Sequence, residues 1–384
     1  MSVRVAVAPA VLEWAQERSG KSEHEVEDRF SRWTDWLAGR AAPTLRQVEG
    51  LAKFTRVPFG VFFLEAPPKI ELQTPDFRLG LDGNLGTPSP ELLDVMQASQ
   101  RRQEWFREYA LRNEFDAIEL VGAGRAMSPR EAAALTTSVF GFDVDQRPRT
   151  REAARNLVRN GFEIIGGLIV FAGIVGNNTS RKLNQDEFGG FTLADSHAPF
   201  IFINSNGTLS RQLFTFFHEF GHVLRAESGV CDGDEDIAPQ TTLDTERWCN
   251  DLAAEVLVPT EDLRRQVGGL AVNAELLDRL SDRYLASTLV ILIQLRNVGL
   301  LPPARFDAVY RAEMERVRRI REALPPVTGG EFWNNQPFRT GERLGRAVIA
   351  ETRAGRTSYT EALALLGFRS AQHLATYAEK LGMR

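Results

Sequence analysis

Two of the five histidines in this 384-residue chain stand four residues apart, with a glutamate beside the first: His218-Glu219-Phe220-Gly221-His222. On a helix, residues four apart share a face. Both imidazoles can then bind one small ion at about 2.0–2.1 Å. The neighbouring Glu219 reaches a water on that ion instead. Zinc lowers the pKa of such a water to about 7, and a carboxylate can take its proton. The flanking Leu213, Phe214, Phe216, Phe217, Val223 and Leu224 predict a helix with a largely buried surface. Burying an ionisable triplet there unpaired would cost several kcal/mol, which favours a metal site over chance spacing. Gly221 costs about 1 kcal/mol relative to alanine inside a helix. Something is therefore expected to approach the backbone closely there, a strand or a substrate.

A catalytic zinc takes a third protein ligand and leaves its fourth position open. The downstream candidates are Asp232, Asp234, Glu235, Asp236, Asp244, Glu246, Asp251 and Glu255. The acidic loop 231–236 reads as solvated. The stretch ERWCNDLAAEVLVP, residues 246–259, reads as a helix with Glu246, Asn250, Ala253 and Leu257 on one face. Its small Ala253 and Ala254 would let it lie close against the metal helix. Spacing alone does not choose between Glu246 and Glu255.

The elements that must position these residues follow from periodicity. Residues 8–66 read as several short helices, with Ser22 and Glu25 at capping-box spacing, a helix over 29–37, and another opened by Pro43 and Thr44 and ended near Pro58. A proline-rich stretch, 66–90, reads as a linker. Helices are predicted over 91–113, 129–139 and 150–160. The period then changes, and 162–175, 188–193 and 199–204 read as three strands of a sheet. Helical spacing returns over 209–225 and 242–258, which Pro259 ends. Short helices fill 260–300, the last over 287–301. The tail 302–384 reads as mostly helical, with a break at 325–330. The division is thus residues 1–66, 67–148, 149–301 and 302–384, in an α+β chain with a small sheet beside the metal helix.

Composition bounds the class. The chain is 43% hydrophobic and 25% charged, ordinary for a folded protein. Two cysteines, Cys231 and Cys249, form no disulfide framework. No secretory pattern opens the chain. The apolar stretch 164–175 is too short and glycine-rich to span a bilayer. A reducing cytoplasm is the expected location, without membrane attachment. The net charge of −5 is spread unevenly: residues 1–66 balance at nine basic and nine acidic side chains, while 301–384 carry fourteen basic and nine acidic. No segment has the dense basic stripe of a strong nucleic-acid binder. The tail does hold Arg311, Arg316, Arg318, Arg319 and Arg321, with Trp333, Phe338 and Arg339 beyond. That set reads as a solvated helix face or as a patch for nucleic acid or an acidic partner.

The chain carries Gly189-Gly190-Phe191-Thr192-Leu193, Ile201-Phe202-Ile203-Asn204, Phe214-Thr215 before the histidine pair, Glu246-Arg247-Trp248-Cys249-Asn250, Ala253-Ala254-Glu255 and Val258-Pro259. In this combination residues 150–300 resemble the ImmA/IrrE family of zinc metallopeptidases. The resemblance implies a zincin-like peptidase domain with one zinc per chain. It also implies Glu246 as third ligand beside His218 and His222, and Glu219 as general base. Residues 8–66 resemble the XRE-type helix-turn-helix often fused to such peptidases, through Pro43-Thr44-Leu45, Leu51-Ala52 and Pro58. They depart from it at Trp33-Thr34-Asp35-Trp36, and the recognition region is not basic.

The family implies a cytoplasmic, site-specific endopeptidase that cuts a partner helix-turn-helix repressor in stress, mobile-element or phage-defence switches. Single-stranded DNA is a possible activator in such systems. The competing reading is a DNA-binding regulator with a merely structural zinc. The neutral charge of residues 1–66 argues against it, because phosphate contacts need Lys and Arg. A peptidase also needs an oxyanion donor, for which His197, Arg225 and Tyr284 are candidates. Cys249 reads as a small buried residue, and His24 and His373 as surface residues.

Overall fold

The computed structural model describes residues 3–68, 88–231, 244–323 and 331–383. The proline-rich segment 69–87, most of the acidic loop and the break at 325–330 lie outside the described residues. The chain divides into two compact units, residues up to 94 and residues from 95 onward among those described.

The first unit is built from short helices: α1 (Pro9–Arg18), α2 (Glu23–Arg29), α3 (Trp33–Leu37), α4 (Leu45–Thr55) and a 3-10 turn, Phe59–Phe63. Capping starts two of them. The Ser22 hydroxyl accepts from the Glu25 N–H while Glu25 reaches back to the Ser22 N–H, and Thr44 and Gln47 do the same for α4. Such boxes satisfy helix donors that would otherwise be orphaned. The helix expected over 29–37 is two pieces. Phe30 leaves helical geometry, and its ring meets Phe54 edge to face and Trp36 at a tilt, both at 5.8 Å between centroids. Val11, Leu12, Val26, Trp33, Trp36, Val48, Leu51 and Phe62 close the core.

The second unit holds a four-stranded sheet of β1 (Leu168–Ala172), β2 (Gly190–Leu193), β3 (Phe200–Asn204) and β4 (Gly229–Cys231) in the order β1-β3-β2-β4. β1 and β3 run parallel, and β2 pairs antiparallel with both β3 and β4. Every residue of the first three strands is buried, as expected of a sheet covered on both faces. β4 was absent from the three strands read in the sequence. It is three residues long, with no alternation to mark it. The first strand is also shorter than the expected 162–175, because Phe162 and Ile164 belong to α7 (Arg151–Ile164).

α8 (Leu209–Arg225) lies on the sheet and is buried almost throughout. α6 (Pro129–Phe140), α7 and α9 (Asp244–Leu257) surround it. An aromatic cluster locks these helices: Phe140 meets Phe216, Phe217 and Phe220 edge to face at 5.0–6.3 Å between ring centroids. Each such pair contributes about 0.5–1.5 kcal/mol beyond its burial.

Beyond α9 come α10 (Thr260–Val267), α11 (Ala274–Tyr284), α12 (Thr288–Asn297) and α13 (Pro303–Ala323). α14 (Phe332–Thr340), which packs on β1, leads into α15 (Glu342–Arg353), α16 (Tyr359–Leu366) and α17 (Ala371–Lys380). α5 (Pro90–Arg112) ties these parts together. Its buried Arg102 donates to the Leu365 carbonyl at 2.7 Å, and Gln103 donates to the Leu193 and Ala198 carbonyls. The described residues from 95 onward, which span the segments read separately as 67–148, 149–301 and 302–384, thus pack as one unit.

Candidate metal centre

α8 starts where the Thr208 hydroxyl accepts from the Arg211 N–H. From that start, the helical period sets His218 and His222 on one face, one turn apart. α9 brings the carboxylate. Glu246 sits in its first turn, and the two helices pack closely because Gly221 has no side chain. A Cβ on Gly221 would lie 2.9 Å from Cys249 Sγ and 3.3 Å from Cys249 Cα. The close neighbour of Gly221 is therefore α9, where the sequence reading expected a strand or a substrate.

The result is a buried cluster. His222 Nε2 lies 3.1 Å from Glu246 Oε1, His218 Nε2 lies 3.2 Å from Glu246 Oε2, and the two Nε2 atoms are 3.3 Å apart. The three side chains are 5%, 0% and 4% exposed for His218, His222 and Glu246. Behind His218, Nδ1 donates to the Asn250 amide oxygen at 2.8 Å. That bond keeps the proton on Nδ1 and leaves the Nε2 lone pair facing the cluster, as metal-ligating histidines require. Two imidazole nitrogens and a carboxylate oxygen are a donor set suited to zinc, so the residues fit such an ion.

The electrostatics follow from burial and contact. Burial alone would raise the Glu246 carboxyl, but the charge and hydrogen bonds of His218 and His222 outweigh it and hold it well below the usual carboxylate range. Burial disfavours the charged form of His218, yet the Glu246 carboxylate more than offsets this and raises its pKa. A bound cation would reverse that preference, since ligating imidazoles must be neutral.

Glu219 is fully buried, and burial raises its pKa. One oxygen, Oε2, accepts from the Thr192 hydroxyl at 2.7 Å on β2. The other, Oε1, is buried with no hydrogen-bond partner among the described residues. Leaving such an oxygen unpaired is costly, which marks Oε1 as an atom awaiting a proton donor. Gly190 makes room for it, since a Cβ there would lie 3.0 Å from Oε1. In the sequence, Thr192 is marked only as a motif residue and Asn250 only as sharing a helix face with Glu246. Their polarity inside apolar runs was the available signal for a positioning role.

The other candidates disperse. Glu255 turns to α10, where its carboxylate accepts from the Thr260 N–H and hydroxyl. Asp251 lines a cleft instead, and Asp244 is exposed. Asp232, Asp234, Glu235 and Asp236 lie outside the described residues. Among the proposed oxyanion donors, Tyr284 donates its hydroxyl to Asp262 at 2.8 Å. Arg225 pairs with Glu227 and stacks on Trp248, and the His197 ring meets Ser196. Cys249 is buried, and burial pushes its thiol well above the ordinary value.

The tail arginines are largely spent internally. Arg316 pairs with Glu313 and Asp278, and Arg318 with Glu315 and Glu322. Phe338 is packed beneath the guanidiniums of Arg155 and Arg159. Trp333 contacts Phe332, Phe368 and His373. Beside the cluster opens a cleft of about 570 Å³ lined by Phe214, Asn250, Ala254, Val290, Ile293 and Gln294 among others.

A buried pair of histidines one turn apart, a carboxylate from a second helix and a glutamate beside the first histidine define the HExxH class of metallopeptidase domain. Residues 177–296 match the model of a particular family in that class, Peptidase M78, the IrrE N-terminal-like domain. Residues 340–380 match a domain of unknown function, DUF8813. No curated protein matches the chain. Among the described residues, no helix is long and apolar enough to cross a membrane.

Proposed function

We propose that this chain is a zinc-dependent endopeptidase with His218, His222 and Glu246 as metal ligands and Glu219 as general base. The convergence of those three donor atoms beside the unpartnered Glu219 Oε1 carries the reading. A zinc ion there supplies Lewis acidity to a water and to the scissile carbonyl. Glu219 Oε1 takes the water's proton, and the carboxyl then returns it to the leaving amine. Thr192 keeps the carboxylate from rotating, and Asn250 keeps His218 Nε2 unprotonated. The cleft at Phe214 and Asn250 gives a peptide room on one side of the scissile bond.

The substrate we propose is a partner helix-turn-helix repressor, cut at one bond in the cytoplasm during a stress, mobile-element or phage-defence response, with single-stranded DNA as the activator. This part rests on the resemblance of residues 150–300 to the ImmA/IrrE family. The first unit fits an XRE-type module only in its helical make-up. Its α2–α3 segment carries Glu23, Glu25, Glu27, Asp28 and Asp35 against Arg29 and Arg32, a charge that repels phosphate.

The test combines metal analysis with cleavage. Purified wild type should hold one zinc per chain and His222→Ala none. Wild type should cut the adjacent-encoded repressor at one bond, read by mass spectrometry. Glu219→Gln should keep the metal and lose the cut. A Glu219→Gln protein that still cleaves would remove the proposed base.

A further inference from the structure

On the side of the second unit where α9 and α11 end, a second cleft of about 570 Å³ is lined by arginines from two places: Arg147 and Arg149 before α7, and Arg279 and Arg283 on α11. Two carboxylates, Asp145 and Asp282, share that lining, but both are already engaged. Asp145 pairs with Arg283, and Asp282 pairs with Arg151. Arg283 is also held by Asp262. This leaves three guanidiniums with no carboxylate within salt-bridge distance among the described residues: Arg147, Arg149 and Arg279.

Arg147 is the informative one. It is only 6% exposed, and buried cations are normally paired. One nitrogen, Nη1, donates to the carbonyls of Leu257 and Tyr284, the last residues of α9 and α11. That accounts for one donor atom, and it answers the partial negative charge of those helix ends. The other two nitrogens, Nε and Nη2, are buried with no hydrogen-bond partner among the described residues. Helix capping and stacking over the Phe142 ring at 4.8 Å therefore explain part of this side chain and nothing of Arg149 and Arg279, which line the cleft and are exposed.

We propose that this cleft binds the phosphate group of a small phosphate ester. Asp143 and Asp262 act on Arg147 only through space, and three clustered guanidiniums with no salt-bridged carboxylate suit a dianion better than a single carboxylate, the planar donor fork of arginine matching phosphate oxygens. The cavity lies within the roughly 300–1,000 Å³ range of small-molecule sites. Val144, Pro148 and Leu280 add an apolar wall for the body of the ester. The site is separate from the metal centre and does not depend on the peptidase reading.

Calorimetric titration and thermal unfolding of the full chain, at constant ionic strength, decide the matter with inorganic phosphate and phenyl phosphate as probes. Both should bind saturably at up to millimolar concentration and raise the unfolding temperature. The double variant Arg149→Gln/Arg279→Gln should weaken binding at least tenfold without changing the unfolding temperature of the ligand-free protein, because both residues are exposed. Tighter binding of phenyl phosphate would identify an ester, and equal binding would identify free phosphate. The same response in the double variant, or none to either probe, overturns the proposal. So does binding of a single-stranded oligonucleotide that needs Arg149 and Arg279 while the small probes do nothing.

Discussion

Replacing Asn250 by alanine should weaken metal binding without unfolding the protein. The Asn250 amide oxygen accepts from His218 Nδ1 at 2.8 Å, and it is this bond that keeps the Nε2 lone pair directed at Glu246 and His222. Without it the imidazole can place its proton on Nε2, where the ion would bind, and the ring can turn. Losing such an outer partner costs about 10–100-fold in metal affinity, or about 1.4–2.8 kcal/mol. A buried N–H left unsatisfied costs a similar ~1–3 kcal/mol, so two routes to the magnitude agree. Competition with a chromophoric zinc chelator at neutral pH measures the affinity, and unfolding of the metal-free proteins checks the fold. Asn250→Asp keeps an acceptor and makes it anionic, so it should recover most of the loss. Unchanged affinity in Asn250→Ala, or an Asp variant no tighter than the Ala variant, would show that Asn250 does not orient this ligand.

Two further outcomes follow from the same geometry. Thr192→Val removes the hydroxyl donated to Glu219 Oε2 at 2.7 Å at nearly constant volume. A hydrogen bond to a charged group is worth about 1.5–3 kcal/mol, so kcat should fall about 10–100-fold with zinc content unchanged, and Thr192→Ser should restore it. Asp262 is a stability group. Burial works to raise its carboxyl, but hydrogen bonds from Arg283, Tyr284 and Arg265 hold it down at about 2. A depressed folded pKa means the stabilisation is present above the unfolded value of 3.8 and is lost as pH falls towards 2. Urea unfolding of Asp262→Asn should therefore be less stable at neutral pH, by on the order of 2 kcal/mol, and should show a flatter pH dependence between about 4 and 2.

Much of the site could be read in the sequence because its chemistry is local. The histidine pair needs only a helical period, and α8 runs over the predicted residues 209–225. The candidate third ligand was different. Glu246 and Glu255 lie on the same helix, and spacing could not say which one faces α8, because that depends on how two helices dock. In the structure Glu246 meets the histidines, while Glu255 caps α10. The positioning groups were harder still. Thr192 reaches Glu219 only through the pairing of β2 with β3, a contact across 27 residues. The role of the tail arginines also turned on tertiary facts, since Asp278 on α11 claims Arg316. β4 was missed because three residues carry no period, and the helix over 29–37 broke where aromatic packing drew Phe30 out.

Gly221 links packing to chemistry. It stands between the two histidines on the face toward α9, so the spacing of α8 and α9 there sets how far Glu246 stands from both rings. In Gly221→Ala the new methyl would meet Cys249 Sγ at 2.9 Å, its Cβ at 3.2 Å and its Cα at 3.3 Å. The last of these is backbone and can yield only if α9 moves. Alanine gains about 1 kcal/mol in helix propensity, whereas overpacking a core costs typically 1–3 kcal/mol, so net stability should change little or fall by up to about 2 kcal/mol. The larger effect should be on the metal. Glu246 lies one turn before Cys249 on the same helix, and a few tenths of an ångström of separation pull its carboxylate from two ligand atoms at once. The expected outcome is a folded protein with zinc affinity reduced at least tenfold, while Cys249→Ala in the same background, which removes the sulfur from the clash, recovers part of it. A Gly221→Ala protein that binds zinc as tightly as wild type would show that α9 can shift without moving Glu246, and that the close approach of the helices serves packing alone.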